Sequence, residues 1–182
     1  MIVDEAHAIG VFGQNGNGLV SNADMTIGTF GKAFGSHGAF LTCSQKMKDY
    51  LIATCKGLIY STAPSPANIG SISAALDLVP KMRESREKIH FLAEHFKDKL
   101  VKLNLNILSE DSHIVSISMK DAPTAYGYQK FLRNSGFWVK AIFPPTVTKK
   151  NTCIRFSICA FHDLEDINSL ISSLASVPID NA

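Results

Sequence analysis

Charge of one sign, long apolar runs and paired cysteines are all scarce in this sequence. Its 18 Lys and Arg face 16 Asp and Glu, a net charge of only +2, too little field to draw a nucleic acid or an acidic membrane surface. No apolar stretch approaches the roughly 20 residues that span a bilayer, and the first residues do not have the form of a signal peptide. The four cysteines, Cys43, Cys55, Cys153 and Cys159, include no CxxC pair, so reduced thiols in a cytoplasmic protein are expected. There is no GxSxG elbow. His90 and His95 lack the HExxH order and are expected on the solvated side of a helix, and no metal set is expected.

What is present is apolar and punctuated by glycine. With 46% hydrophobic residues in 182, the chain can bury a sizeable core in one domain or two small ones. Short strands are expected at 1–3, 24–28 and 38–42, separated by the glycine-rich segments GVFGQNGNG and TFGKAFGSHG. A helix is expected at 45–54, and Pro66 in YSTAPSP stands where another could begin. Ile89, Leu92, Ala93, Phe96, Leu100 and Leu103 recur at helical spacing, with Pro80 dividing this region into two helices. Further on, strands are expected at 114–119, 137–142 and 153–159, and helices at 124–135 and 163–175, the last capped by Asp163 with Asp166 three residues on.

Asp4-Glu5-Ala6-His7 spell the acidic box of a helicase. That box works opposite a phosphate loop of the form GxxxxGK[ST], whose hydroxyl reaches magnesium. Gly31-Lys32 is followed by Ala33, and the charge is too low for a nucleic-acid track. The same aspartate makes better sense beside Lys32, 28 residues on. A lysine on a glycine-rich turn can approach a ligand closely, and among apolar groups its amine can lose a proton and attack a carbonyl. Pyridoxal 5'-phosphate needs such a lysine, and an acid at its ring nitrogen. Taken singly, aspartates and lysines are ordinary surface charges.

The segments VDEAHAIGVFGQNGNG, TFGKAFGSHGAF, LIYSTAPSPA, FWVKAIFPPTV and CIRFSICAFHDLEDI, in that order, resemble the α-oxoamine synthases, fold-type I pyridoxal-phosphate enzymes that condense an amino acid with an acyl thioester and release carbon dioxide. The resemblance runs over essentially the whole chain and corresponds to the C-terminal half of the family. It implies an α/β fold: residues 1–80 as the C-terminal part of the cofactor-binding large domain, 81–106 as a connecting long helix, and 107–182 as a small α+β domain. It also implies a homodimer. Lys32 would be the covalent anchor and proton carrier, Asp4 the partner of the ring nitrogen, and His7 a hydrogen-bond partner of the ring oxygen. Thr29 would hold phosphate, Ser61 and Thr62 would reach the partner subunit's phosphate, and Arg155 would grip the amino acid's carboxylate. His162 also matches a family position and is taken as structural.

The AIFPPTV segment is most similar to the family's biotin-pathway members, which implies L-alanine and a pimeloyl thioester, on coenzyme A or a carrier protein, as substrates. A glycine-using member and a non-catalytic chain are the alternatives. Two departures stand out. Thr148-Lys149-Lys150-Asn151 replaces the family's usual proline and glycine, and Cys153 stands where the biotin-pathway enzymes often carry a further arginine.

Overall fold

The computed structural model describes residues 1–109 and 111–177, and the chain divides into two units, Met1–Arg86 and a second from Glu87 onward. In the first, three short strands rich in β-branched and aromatic residues form one sheet: β1 (Ile2–Asp4), β2 (Met25–Thr29) and β3 (Ala39–Cys43). β1 and β2 run parallel, with Asp4 beside Ile27, and β3 returns antiparallel, with Gly28 opposite Phe40. Gly28 is needed there because a Cβ would strike the Phe40 ring. That ring packs on Phe30 at 5.1 Å between centroids, and Phe30 meets Phe34 edge-on at 5.6 Å.

Three helices follow: α1 (Gln45–Thr54), the single turn α2 (Lys56–Ile59) and α3 (Pro66–Leu78). Ser44 caps α1 by accepting the Met47 N–H, and Ser65 caps α3 by accepting the Asn68 N–H, with Pro66 in the first turn where its missing N–H costs nothing. None of the residues in these three helices is buried. Tyr50, Ile52, Leu58, Ile59, Ile69 and Leu78 lie exposed, and of the first unit's apolar side chains only Val11 and Val79 are buried.

The second unit has a proper core. Helix α4 (Arg83–Lys102), which begins in the first unit, turns Leu92, Ala93, Phe96 and Leu100 inward, all nearly inaccessible. They pack with a sheet of order β4-β6-β5, made of β4 (Ile114–Ser118), β5 (Lys140–Ile142) and β6 (Cys153–Ser157), all antiparallel. Alternation sorts its faces. Val115, Ile117, Ala141, Ile154 and Phe156 are buried, and Phe96 meets Phe156 at 5.1 Å. Truncating Phe96 to Ala should cost about 3–5 kcal/mol. Helices α5 (Ala122–Asn134) and α6 (Leu164–Ala175) close this core, capped by Asp121 and Asp163. The Thr124 groups that hydrogen-bond the Asp121 carboxyl hold it below the usual carboxylate range.

Most expected elements appear within a few residues. Asp163 and Asp166 form a full capping box, and Val79–Lys81 is a 3-10 turn at Pro80. Three details differ. The strand expected from 137 starts only at Lys140, because Phe137 and Val139 are held in a turn by Phe137 N–H to Leu132 O and Val139 N–H to Phe137 O. Helix α2 was not foreseen. His90 and His95 are half-buried rather than on a solvated face, with His95 Nε2 3.1 Å from Asn168 Oδ1 and its ring stacked on Phe91. Of the span expected as the small domain, residues 110 and 178–182 lie outside the described residues. No helix among the described residues is long and apolar enough to cross a membrane.

Candidate active site

Because β1 and β2 are parallel, their carboxyl ends lie at the same edge of the sheet. Open α/β sheets bind ligands at that edge, where the strands stop and loops begin. Asp4 ends β1 and Thr29 ends β2. His7 sits on the turn directly after β1, and Lys32 on the loop directly after β2. Four of the sequence candidates therefore come from one edge of one parallel pair.

Each is held locally. Asp4 is exposed, and its Oδ1 accepts the Ala6 N–H at 2.8 Å, which orients the carboxylate and leaves Oδ2 for another donor. The turn carrying His7 is closed by Ala8 and Ile9 N–H groups on Glu5 O at 2.8 and 2.9 Å. The Lys32 loop is tied by Phe30 N–H to Gly38 O, Ser36 N–H to Phe30 O and Gly35 N–H to Lys32 O. Thr29 Oγ1 donates to Gly38 O at 3.0 Å and accepts the Gly31 N–H at 3.2 Å, so its single hydroxyl hydrogen already fastens this loop. Lys32 itself is exposed; Phe30, Phe34 and Phe40 form the apolar cluster near it and line a hollow of 320 Å³ with Val79 and Pro80.

Ser61 and Thr62 follow α2 and are exposed. The Ser61 hydroxyl donates to Gly57 O, and no hydrogen bond ties either residue to the Lys32 loop among the described residues. Arg155 belongs to the second unit. It lies mid-strand on β6, with Ser116 of β4 and Lys140 of β5 opposite it on either side, on the face away from the core. A cavity of 610 Å³ opens there, with Arg133, Trp138, Lys140, Arg155, His162 and Asp166 in its lining. His162 Nδ1 accepts the Cys159 N–H at 3.3 Å, so the neutral ring carries its hydrogen on Nε2. Burial pushes the Cys153 thiol up, against smaller opposing effects of a Ser116 hydrogen bond and the Arg155 charge. Less thiolate forms at neutral pH, so iodoacetamide should label exposed Cys55 well before Cys153, as peptide mapping of the native chain would show.

Two residues important to the site's framework went unread in the sequence. Glu5 is only 3% exposed, and its Oε1 accepts the Leu19 and Val20 N–H groups, both at 2.8 Å. It thereby pins the glycine-rich loop against the end of β1. Gly18, at φ 90°, must be glycine because a Cβ would run into that carboxylate. Arg86, 5% exposed, donates to Val79 O at 2.5 Å, Gln14 O at 3.0 Å and Pro80 O at 3.1 Å, clamping the middle of the same loop to the turn at Pro80. An acid beside Asp4 and a glycine in the loop that follows are the only clues to the first; Arg86 gives none. Gly18→Ala and Glu5→Ala should each lower stability by about 2 kcal/mol or more, read by urea unfolding.

Known proteins are similar to this chain in sequence and in fold. The model of the family "Aminotransferase class I and II" matches residues 1–174. A provisionally named 8-amino-7-oxononanoate synthase of Desulfosudis oleivorans is 38% identical over 178 residues, 97% of this chain and 46% of that protein. The 8-amino-7-oxononanoate synthase of Saccharophagus degradans is 34% identical, covering 97% and 46%. Among solved structures, an SPT with pyridoxal 5'-phosphate superposes with a TM-score of 0.90 at 25% identity, covering 99% of this chain and 47% of that one. The 8-amino-7-oxononanoate synthase of Francisella tularensis gives 0.86 at 26%, covering 96% and 53%. The chain spans about half the length of the curated relatives it matches. With the edge of the parallel pair carrying Asp4, His7, Thr29 and Lys32, these matches show that the chain belongs to the aminotransferase class I and II family, among its fold-type I α-oxoamine synthases.

Proposed function

We propose that this chain carries half of the machinery of a pyridoxal-5'-phosphate-dependent acyltransferase that condenses L-alanine with a pimeloyl thioester, losing carbon dioxide, to give 8-amino-7-oxononanoate. The observation that carries the reading is the shared carboxyl edge of β1 and β2, with an acid at one strand end and a lysine on the loop after the other. The residues there fit the cofactor. Asp4 presents an exposed carboxylate with one oxygen uncommitted, and the Lys32 loop is fixed by backbone bonds while its lysine is exposed.

When bound, the cofactor supplies a protonated ring that takes up the electron pair left on the amino acid's α-carbon. Asp4 would keep the proton on the ring nitrogen, since a carboxylate there stabilises the cation. His7 would hydrogen-bond the ring oxygen. Lys32 Nζ would anchor the cofactor and, once freed, would serve as the base for the α-proton. Thr29 contributes to the phosphate seat only if its hydroxyl turns away from Gly38 O; in its present orientation it orders the lysine's loop instead. Thr62, exposed and not tied to its own chain's lysine loop, is suited to a partner subunit's phosphate, and Ser61 would join it only by turning its hydroxyl away from Gly57 O. Arg155 receives the substrate carboxylate on its planar fork.

A homodimer belongs to the same proposal, supported by the exposed apolar side chains of α1, α2 and α3. The test is product formation with alanine and with glycine in parallel, by mass spectrometry of the amino ketone. Condensation with alanine but not glycine is expected; the reverse would move the chain to the glycine-using branch.

A further inference from the structure

The 610 Å³ cavity of the second unit holds more positive charge than a single carboxylate needs. Lys140 and Arg155 are direct cross-strand partners on β5 and β6, so their side chains rise from the same face, with Cβ atoms about 5 Å apart. Like charges so placed repel and destabilise a sheet unless an anion lies between them. Among the described residues no carboxylate forms an ion pair with either.

The other charges in the lining are already engaged. Arg133 donates from Nε and Nη2 to Val139 O at 3.2 and 3.1 Å and lies 4.1 Å over the Trp138 ring. Asp166 accepts the Asp163 N–H within the α6 cap. Three cations thus face one carboxylate, and the pair with nothing to hold is Lys140 and Arg155. His162, its Nδ1 engaged, presents an Nε2–H donor at the same cavity.

We propose that Lys140 and Arg155 together form a seat for paired negative charge: a carboxylate on the arginine fork and a second anionic group, carboxylate or phosphoryl, beside it on Lys140. This rests on the reading of Arg155 as the substrate-carboxylate residue. In the proposed condensation the second anion belongs to the acyl donor: as a carboxylate it restricts the donor to thioesters with an acidic acyl chain, and as a phosphoryl it selects the carrier rather than the chain. Lys140 is then a specificity-determining residue.

Trp138 lines this cavity and is the sequence's sole tryptophan, so its fluorescence reports occupancy directly. The full chain, without cofactor and at low salt, is titrated with acetate, malonate and inorganic phosphate at mildly alkaline pH. At least one dianion should bind about tenfold or more tighter than acetate, a difference of about 1.4 kcal/mol. Preference for malonate would assign the second group as a carboxylate, preference for phosphate as a phosphoryl.

Lys140→Met should erase most of the dianion preference while leaving acetate binding intact, and Lys140→Arg should restore it. Lys149→Met, on an exposed turn outside the cavity, should change nothing. Equal binding of monoanion and dianions by the native chain, or a preference that survives Lys140→Met, overturns the proposal. The Arg155 reading is tested separately: Arg155→Met should abolish acetate binding, and its persistence would sink that reading whatever Lys140 does.

Discussion

Asp4→Asn should reduce turnover by roughly a thousandfold, about 4 kcal/mol of transition-state stabilisation, while the cofactor stays bound. Amide and carboxylate are nearly the same size, so the turn after β1 should survive: the amide oxygen can still accept the Ala6 N–H that Asp4 Oδ1 accepts at 2.8 Å. In the role proposed for Asp4, what is lost is the negative charge at the ring nitrogen. Without it the proton there is held weakly, and the ring takes up less of the charge that develops on the α-carbon. The measurement is a paired one, of cofactor absorbance and of product formation under identical conditions. Retained absorbance with near-native turnover would remove Asp4 from the role. Loss of both would make it a binding residue first.

Lys32→Ala should have the larger effect. In its proposed role Lys32 is covalent anchor and base together, so turnover should fall by about 10⁴-fold or more, beyond the top of the range for a lost general base alone. The visible band of the lysine-linked cofactor should disappear even where the cofactor still binds. Borohydride reduction of the native holo-protein followed by digestion should place the label on the peptide containing TFGKAFG. A label on any other lysine would show that the anchor lies elsewhere. The substitution should be mild for the fold, because Lys32 is exposed and the loop is held by backbone bonds from Phe30, Gly35 and Ser36.

The contrast between these positions and Glu5 shows which features the sequence makes readable. Asp4 and Lys32 belong to motifs whose chemistry is local: an acid after an apolar strand, a lysine among glycines. Glu5 stands next to Asp4 and carries the same charge, yet it turns inward to hold Leu19 and Val20. Alternation along a strand end sends neighbours to opposite sides, and one-dimensional spacing does not reveal which side faces a loop. Lys140 shows the same limit. In the sequence it is one lysine in FWVKAIF; only the β5–β6 register sets it against Arg155, 15 residues away.

Helix α4 illustrates the opposite case. Of the six apolar positions that recur through and just beyond it, Leu92, Ala93, Phe96 and Leu100 are buried in the core, while Ile89 and Leu103 are half-buried. The Asp163–Asp166 box was equally readable, because it depends on two residues three positions apart and on nothing distant.

By itself the sequence determined most of the element types, the cap of the last helix and the family, because each of these rests on groups close together along the chain. Tertiary structure decided which side chains share a site. The parallel pairing of β1 with β2 gathers Asp4, His7, Thr29 and Lys32 at one edge, and the antiparallel pairing of β5 with β6 sets two cations side by side. Register between strands is fixed by the packing of whole faces, so it exists only once the sheets have formed.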